Sequence, residues 1–230
     1  MKKAEHIQKC LDEGKNYYEK RSYELALKRF LKAFELDENN PEAQYYLGIV
    51  YARTGRYEPA VEYLRQALDS ELADINKIHT EMILGYIYTI QERYDEALLL
   101  FRGILDMGLE SAQAYAAIGF IMDRNGRFKD AIMNLYRAIE IDPGNANAHN
   151  SLGYIFAESN LNLDEALKEC RKAVSLDPDN PAYLDSLGWV YYKIGQKSQA
   201  KNYLKKALKK APANGEIRDH LKVVMEELPG

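Results

Sequence analysis

The chain has 230 residues, 47% of them hydrophobic and 29% charged, which excludes an intrinsically disordered chain and supplies enough apolar material for a continuous core. A formal net charge of −4 excludes a general electrostatic attraction to nucleic acid, and no apolar run approaches the roughly 18 residues of a membrane-spanning helix. Two cysteines, Cys10 and Cys170, are too few for a disulfide scaffold or a structural zinc site and read as small apolar residues.

The elements repeat along the chain. Gly14, Gly48, Gly85, Gly119, Gly153 and Gly188 follow one another at 34, 37, 34, 34 and 35 residues. With each glycine set at position 8, the repeats span 7–40, 41–74, 78–111, 112–145, 146–180 and 181–214. Position 7 is Leu47, Leu84, Ile118, Leu152 and Leu187 in all but the first repeat, where it is Glu13; position 11 is Tyr17, Tyr51, Tyr88, Met122, Phe156 and Tyr191. These predict one apolar face of a first helix. A second helix follows, with Ala26, Ala60, Ala97, Ala131, Ala166 and Ala200 at position 20 once a single inserted residue near Asn160 is allowed for. Phe30, Leu64, Phe101, Leu135, Cys170 and Leu204 come four residues later, and Ala33, Ala67, Ile104, Ala138, Ala173 and Ala207 three after those. Apolar residues at i, i+4 and i+7 predict a helix buried on one side.

Pro143, Pro178 and Pro212 predict the ends of three second helices, because the residue before proline is pushed out of the α region. Three extra residues around Ile75 to Lys77 predict a longer connection between repeats 2 and 3, and Ile104, where a small alanine is usual, predicts looser packing between repeats 3 and 4. After the last repeat, residues 215–228 carry Ile217, Leu221, Val224 and Leu228 at helical spacing, the pattern of a capping helix with a polar outer face.

This pattern of Leu-Gly, Tyr, Ala, Phe, Ala and Pro in a helix-turn-helix of about 34 residues resembles the tetratricopeptide repeat family through residues 7 to 214. The resemblance implies an all-α, right-handed superhelix, an α-solenoid of six repeats and a cap, serving as a scaffold or adaptor that binds a partner peptide or helix in its concave groove. The run from Leu163 to Lys193 resembles bacterial members, implying a bacterial source. Self-assembly through the same repeats is the alternative reading.

No Gly-rich phosphate loop, His-Glu-x-x-His, paired CxxC or Gly-x-Ser-x-Gly is present, so neither an active site nor a cofactor is expected. His149 reads as a core histidine satisfied by its neighbours; His6, His79 and His220 have no partner at metal-ligand spacing and read as surface residues. In the family, positions 2, 5, 9, 12 and 13 of the first helices face the groove. Position 9 here is Lys15, Ile49, Tyr86, Phe120, Tyr154 and Trp189, and neighbouring groove positions add Tyr18, Tyr45, Met82, Asn147, Asn150, Asp185 and Tyr192. A row of large rings on a surface where the family often places polar residues suits protein contact, where one buried Tyr or Trp contributes roughly 2 kcal/mol or more. The same rings also suit a second role, filling the seam between adjacent first helices. Trp189, flanked only by the cap, is expected to have least to pack against. The Lys and Asn clamp by which some co-chaperones of the family hold a terminal carboxylate does not match, since the first three repeats offer Leu11 and Lys15, then Tyr46, then His79 and Ile83.

Lys193, Lys197, Lys201, Lys205, Lys206, Lys209 and Lys210 follow one another without an intervening acid. They read either as a docking stripe for an acidic partner or membrane surface, or as a solvated outer helix face. The expected partners are a protein or peptide, or a second copy of the chain, with no nucleic acid and no integral membrane segment. The expected compartment is the cytoplasm, unless a signal or envelope anchor precedes residue 1.

Overall fold

A computed structural model describes residues 2–227. Among these, all regular structure is helical: α1 (Lys2–Glu19), α2 (Tyr23–Leu36), α3 (Pro41–Arg53), α4 (Tyr57–Leu68), α5 (Asp74–Ile90), α6 (Tyr94–Asp106), α7 (Ala112–Arg124), α8 (Phe128–Ile141), α9 (Ala146–Glu158), α10 (Leu163–Leu176), α11 (Pro181–Lys193), α12 (Lys197–Lys210) and α13 (Gly215–Glu226). The chain divides into two compact units, with the boundary in the sequence between Gly108 and Leu109. The first holds three helix-turn-helix repeats, the second three repeats and the capping helix α13. Leu228, placed on the cap by its spacing, lies outside the described residues.

The helices begin and end where local chemistry dictates. Asn40, Ser111, Asn145, Asn180 and Asn214 each accept a hydrogen bond from a backbone N–H in the first turn of the helix they precede, satisfying donors that the helix leaves free. Helices α8, α10 and α12 each end two residues before Pro143, Pro178 or Pro212, as predicted. Within a repeat the chain reverses through one residue in the left-handed region, a glycine at Gly55, Gly126 and Gly195 but Arg21 and Glu92 in repeats 1 and 3. In repeat 5 the inserted residue is absorbed by two left-handed asparagines, Asn160 and Asn162, and the second also caps α10.

The three extra residues of repeat 3 do not lengthen the connection as expected. They join α5, which has 17 residues where α3, α7, α9 and α11 have 13. An added helical turn keeps its backbone groups paired, which an added loop would not. The short link before it is anchored by buried Leu72 against Tyr45, Ile49 and Ala67.

Each pair of helices closes on the repeat glycine. A Cβ built on Gly48 would lie 2.4 Å from Leu64 Cγ, and one on Gly119 would lie 2.7 Å from Leu135 Cγ. Phe30, Phe101, Cys170 and Leu204 fill the same place in the other repeats. The alanines at positions 20 and 27 are fully buried beside them, as is Ile104 in repeat 3. Within each unit the second helix of a repeat then packs on the first helix of the next, and successive first helices pack together: α1, α3 and α5 in the first, α7, α9, α11 and α13 in the second.

At Gly153 a Cβ would meet Cys170 Sγ at 2.5 Å and the backbone of Ala166 and Cys170 at 3.0 Å, so a side chain cannot be accommodated by one rotamer change. Gly153→Ala is expected to lower unfolding free energy by about 1–3 kcal/mol in chemical denaturation. Burial pushes the Cys170 thiol well above the ordinary cysteine range, and Cys10 is buried as well. Both thiols are expected to resist an aromatic disulfide reagent in the native chain and to react fully once it is unfolded; rapid native labelling would contradict this packing.

Candidate functional site

The first helices carry every residue that the sequence assigns to a groove, and the structure divides those residues into two kinds. In the first unit, Lys15 of α1 pairs with Glu42 of α3, and Arg53 Nε donates to the Tyr18 hydroxyl at 3.3 Å. Tyr45, 6% exposed, lies with Ile49, 3% exposed, in the seam between α3 and α5, and neither is an open groove residue. Burial pushes Tyr45 up to about 12, so its hydroxyl keeps its proton, and it shares a hydrogen bond of 2.7 Å with His79 Nδ1. Partial burial, and then the Arg53 charge, lower the His79 pKa and favour its neutral form.

Beyond this seam lies a cleft of about 330 Å³, lined by Tyr18, Ile49, Arg53, Met82, Ile83, Tyr86 and Ile90 among others. It is largely apolar. Tyr86 packs edge-on against Phe101 with ring centroids 5.4 Å apart and leaves 38% of its surface exposed; Ile90, at the end of α5, is more exposed still. The cleft thus gathers Tyr18, Ile49, Met82 and Tyr86 from the predicted set, and adds Ile83 and Ile90, which single-repeat reading missed.

The second unit presents a smaller, more polar recess of about 150 Å³ between α7, α9, α11 and the start of α13, gathering Phe120, Asn150, Tyr154 and Asp185 with Asp123, Arg124 and Glu216. The Arg124 guanidinium lies over the Phe120 ring at 5.1 Å. Asn150 Oδ1 is buried without a hydrogen-bond partner among the described residues. Burial raises the Asp123 pKa, with Arg124 opposing and Glu158 adding to the rise. Tyr154 is likewise raised, first by burial and then by the charges of Glu158, Glu216 and Asp185. Asn147 is exposed and accepts from the Tyr183 hydroxyl at 2.6 Å across the seam between α9 and α11.

Trp189 does not stand free as expected. The capping helix brings His220 under it, with the rings stacked 4.1 Å apart and 17° from parallel. Tyr192 stacks on it from within α11, Lys193 approaches its ring at 5.1 Å, and its Nε1 donates to Glu158 at 2.6 Å. Tyr192 in turn donates to Glu227 at 2.7 Å. His220 is a correction as well, since its side chain is 12% exposed and is held to the buried Asp185 carboxylate at 3.0 Å. The 35-residue separation of Asp185 and His220, one repeat length between complementary groups, is the signal that sequence reading passed over. His149 is the satisfied core histidine expected, bonded through Nδ1 to Glu169 and through Nε2 to the Pro143 carbonyl at 3.1 Å, and His6 is exposed.

No group of three or more His, Cys, Asp or Glu among the described residues is arranged to hold a metal ion, and no described helix is long and apolar enough to cross a membrane.

Serial helix pairs closed on small residues, with first helices aligned along one face of each unit, define a helix-turn-helix repeat protein. Residues 14–55 and 124–160 match the TPR repeat family, and residues 159–221 and 41–71 match two further tetratricopeptide repeat descriptions. The chain belongs to the tetratricopeptide repeat family. No curated protein matches it in sequence. Among solved structures it is similar to a chain of the APC/C hetero-tetramer Cut9-Hcn1, with a TM-score of 0.81 at 16% identity, covering 96% of this chain and 43% of that one. It thus spans less than half of that relative. It is also similar to Pseudomonas aeruginosa PilF (TM-score 0.72, 16% identity, 97% of this chain and 100% of that one). A third is YrrB, described as a TPR protein with an unusual peptide-binding site (0.52, 23%, 84% and 97%).

The cap contact gives a pH test. Burial by itself would depress the His220 imidazolium, but the hydrogen bond and charge of Asp185, with Glu216 and Glu158 beyond, outweigh it and raise the pKa above the ordinary value. The pair's stabilisation is therefore complete below the unfolded histidine pKa of about 6.5 and is lost as pH rises through the higher folded value. The midpoint of thermal unfolding is expected to fall across that window in the wild-type chain and to change less in His220→Gln. Equal slopes would show that the pair does not couple the cap to pH.

Proposed function

We propose that this chain is a non-catalytic protein-interaction scaffold that holds an extended or helical segment of a partner protein against its first helices. The observation that carries this reading is the apolar cleft of the first unit, where Met82, Tyr86 and Ile90 leave hydrophobic surface open while the polar groups beside them, Tyr18 with Arg53 and Tyr45 with His79, are already paired. A concave, mostly apolar surface with its polar neighbours satisfied favours burial of an apolar side chain from a partner over reaction chemistry. Arg53 at the rim suits a segment that carries an acidic residue beside its apolar anchor. In the second unit, Phe120, Asn150 and Tyr154 offer a more polar contact region, and the unpartnered Asn150 Oδ1 is an acceptor for a backbone N–H of a bound segment. Lys15, Tyr45, Ile49, Asp185, Trp189 and Tyr192, whose side chains are engaged with neighbouring helices, position this surface and contribute little open area to it, while Asn147 stays exposed although tied to Tyr183.

The test uses peptides selected by display on the full chain and measured in solution against Met82→Ala combined with Ile90→Ala. Both side chains lie at the cleft surface, so the unfolding midpoint should hold while the Kd rises by roughly thirtyfold, the effect of one hot spot of about 2 kcal/mol. Selected peptides that bind the variant as tightly as the wild type would remove the cleft from the reading. Occupation of the cleft by a second copy would appear instead as dimerisation, detected by sedimentation and abolished by the same pair of substitutions.

A further inference from the structure

Helix α12 differs in charge from every other second helix. Each of α2, α4, α6, α8 and α10 carries at least two acidic residues among its cations, whereas α12 carries six lysines and no carboxylate. It does so in a chain whose formal net charge is −4, so positive charge is concentrated here against the general balance. Some of it is neutralised within the fold: Lys197 pairs with Glu227, and Lys210 with Asp179, while Lys193 just before the helix pairs with Glu158. Lys201, Lys205, Lys206 and Lys209 form no ion pair among the described residues. With Ala200, Leu204 and Ala207 buried on the opposite side, these four lysines, with Ser198 and Asn202, fall within an arc of about 140° on a helix of 3.6 residues per turn. Lys201, Lys205 and Lys209 stand in line over about 12 Å.

We infer that this face of α12 is a docking surface for an anionic lipid bilayer. Its chemistry selects that occupant. All four unpaired cations are lysines, compact hydrated charges on flexible stems, with no arginine fork among them to grip a single carboxylate or phosphate. Lys205, Lys206 and Lys209 are exposed and Lys201 is half-buried, with Lys206 over the Tyr203 ring at 5.1 Å, a row of charges along one helix that suits a plane of many mobile headgroups over a shaped acidic peptide. Lysine near an anionic leaflet gains roughly fivefold in partitioning per residue, so four acting together supply on the order of several hundredfold, falling away beyond a Debye length. That is a reversible, salt-sensitive attachment.

The experiment is cosedimentation of the full chain with sucrose-loaded vesicles of phosphatidylcholine alone, or of phosphatidylcholine mixed with phosphatidylserine, at low and high salt. The wild-type chain is expected to pellet with the anionic vesicles at low salt and to be released at high salt. Lys201→Ser, Lys205→Ser, Lys206→Ser and Lys209→Ser together should abolish pelleting. A control with the same loss of charge at the exposed lysines Lys3, Lys9, Lys28 and Lys129 should leave most of it, circular dichroism confirming that both variants are folded. The inference is overturned if the wild type ignores anionic vesicles, if the two variants lose binding equally, or if the chain retains poly-glutamate or nucleic acid through these lysines while leaving the vesicles unbound.

Discussion

The close approach of the two helices in each repeat is the constraint on which the rest depends. With hydrogen at the Cα of Gly14, Gly48, Gly85, Gly119, Gly153 and Gly188, a large side chain from the second helix rests directly on the backbone of the first. That contact sets the tilt of each helix pair, and so determines which face of the pair meets the next repeat. Because the same volume is filled by Phe30, Leu64, Phe101, Leu135, Cys170 or Leu204, the size of the filler matters less than the absence of a Cβ opposite it. Stability then accumulates between neighbours, as in any stack whose units cannot bury their apolar faces singly.

This constraint is also why so much of the fold was legible from residue order. Glycine, alanine and proline at fixed offsets report backbone proximity and chain termination, which depend little on context. The extra residues of repeat 3 were misread because both loop and helix absorb insertions; that they became helix follows from the low cost of one more hydrogen-bonded turn once a helix exists. The asparagine and serine caps were equally readable in principle, since each sits immediately before an apolar periodic run.

The candidate site was less legible, for a different reason. Position 9 identifies residues on the first helix near the seam, but whether a ring there fills the seam or stays open depends on the partner one repeat away. Ile49 is covered and Tyr86 is not, although both occupy the same position. Trp189 was judged by the number of repeats flanking it, when it is covered by a histidine from the cap together with Tyr192 and Lys193 of its own helix. Contacts of this kind join residues about 35 apart and use complementary chemistry, so a search over repeat-length separations for donor and acceptor pairs would have found Tyr45 with His79 and Asp185 with His220.

Those seam contacts have a consequence for the order of the repeats. The glycine contact inside each repeat is generic and would accept any repeat as its neighbour. The links between first helices are not generic: Lys15 meets Glu42, Tyr45 meets His79, Asn147 meets Tyr183, and Asp185 meets His220. A rearranged chain would keep its core and lose these matches, setting an aspartate or lysine beside a residue that cannot answer it. The interior thus makes the units stackable, while the seam gives each one an address in the sequence of units.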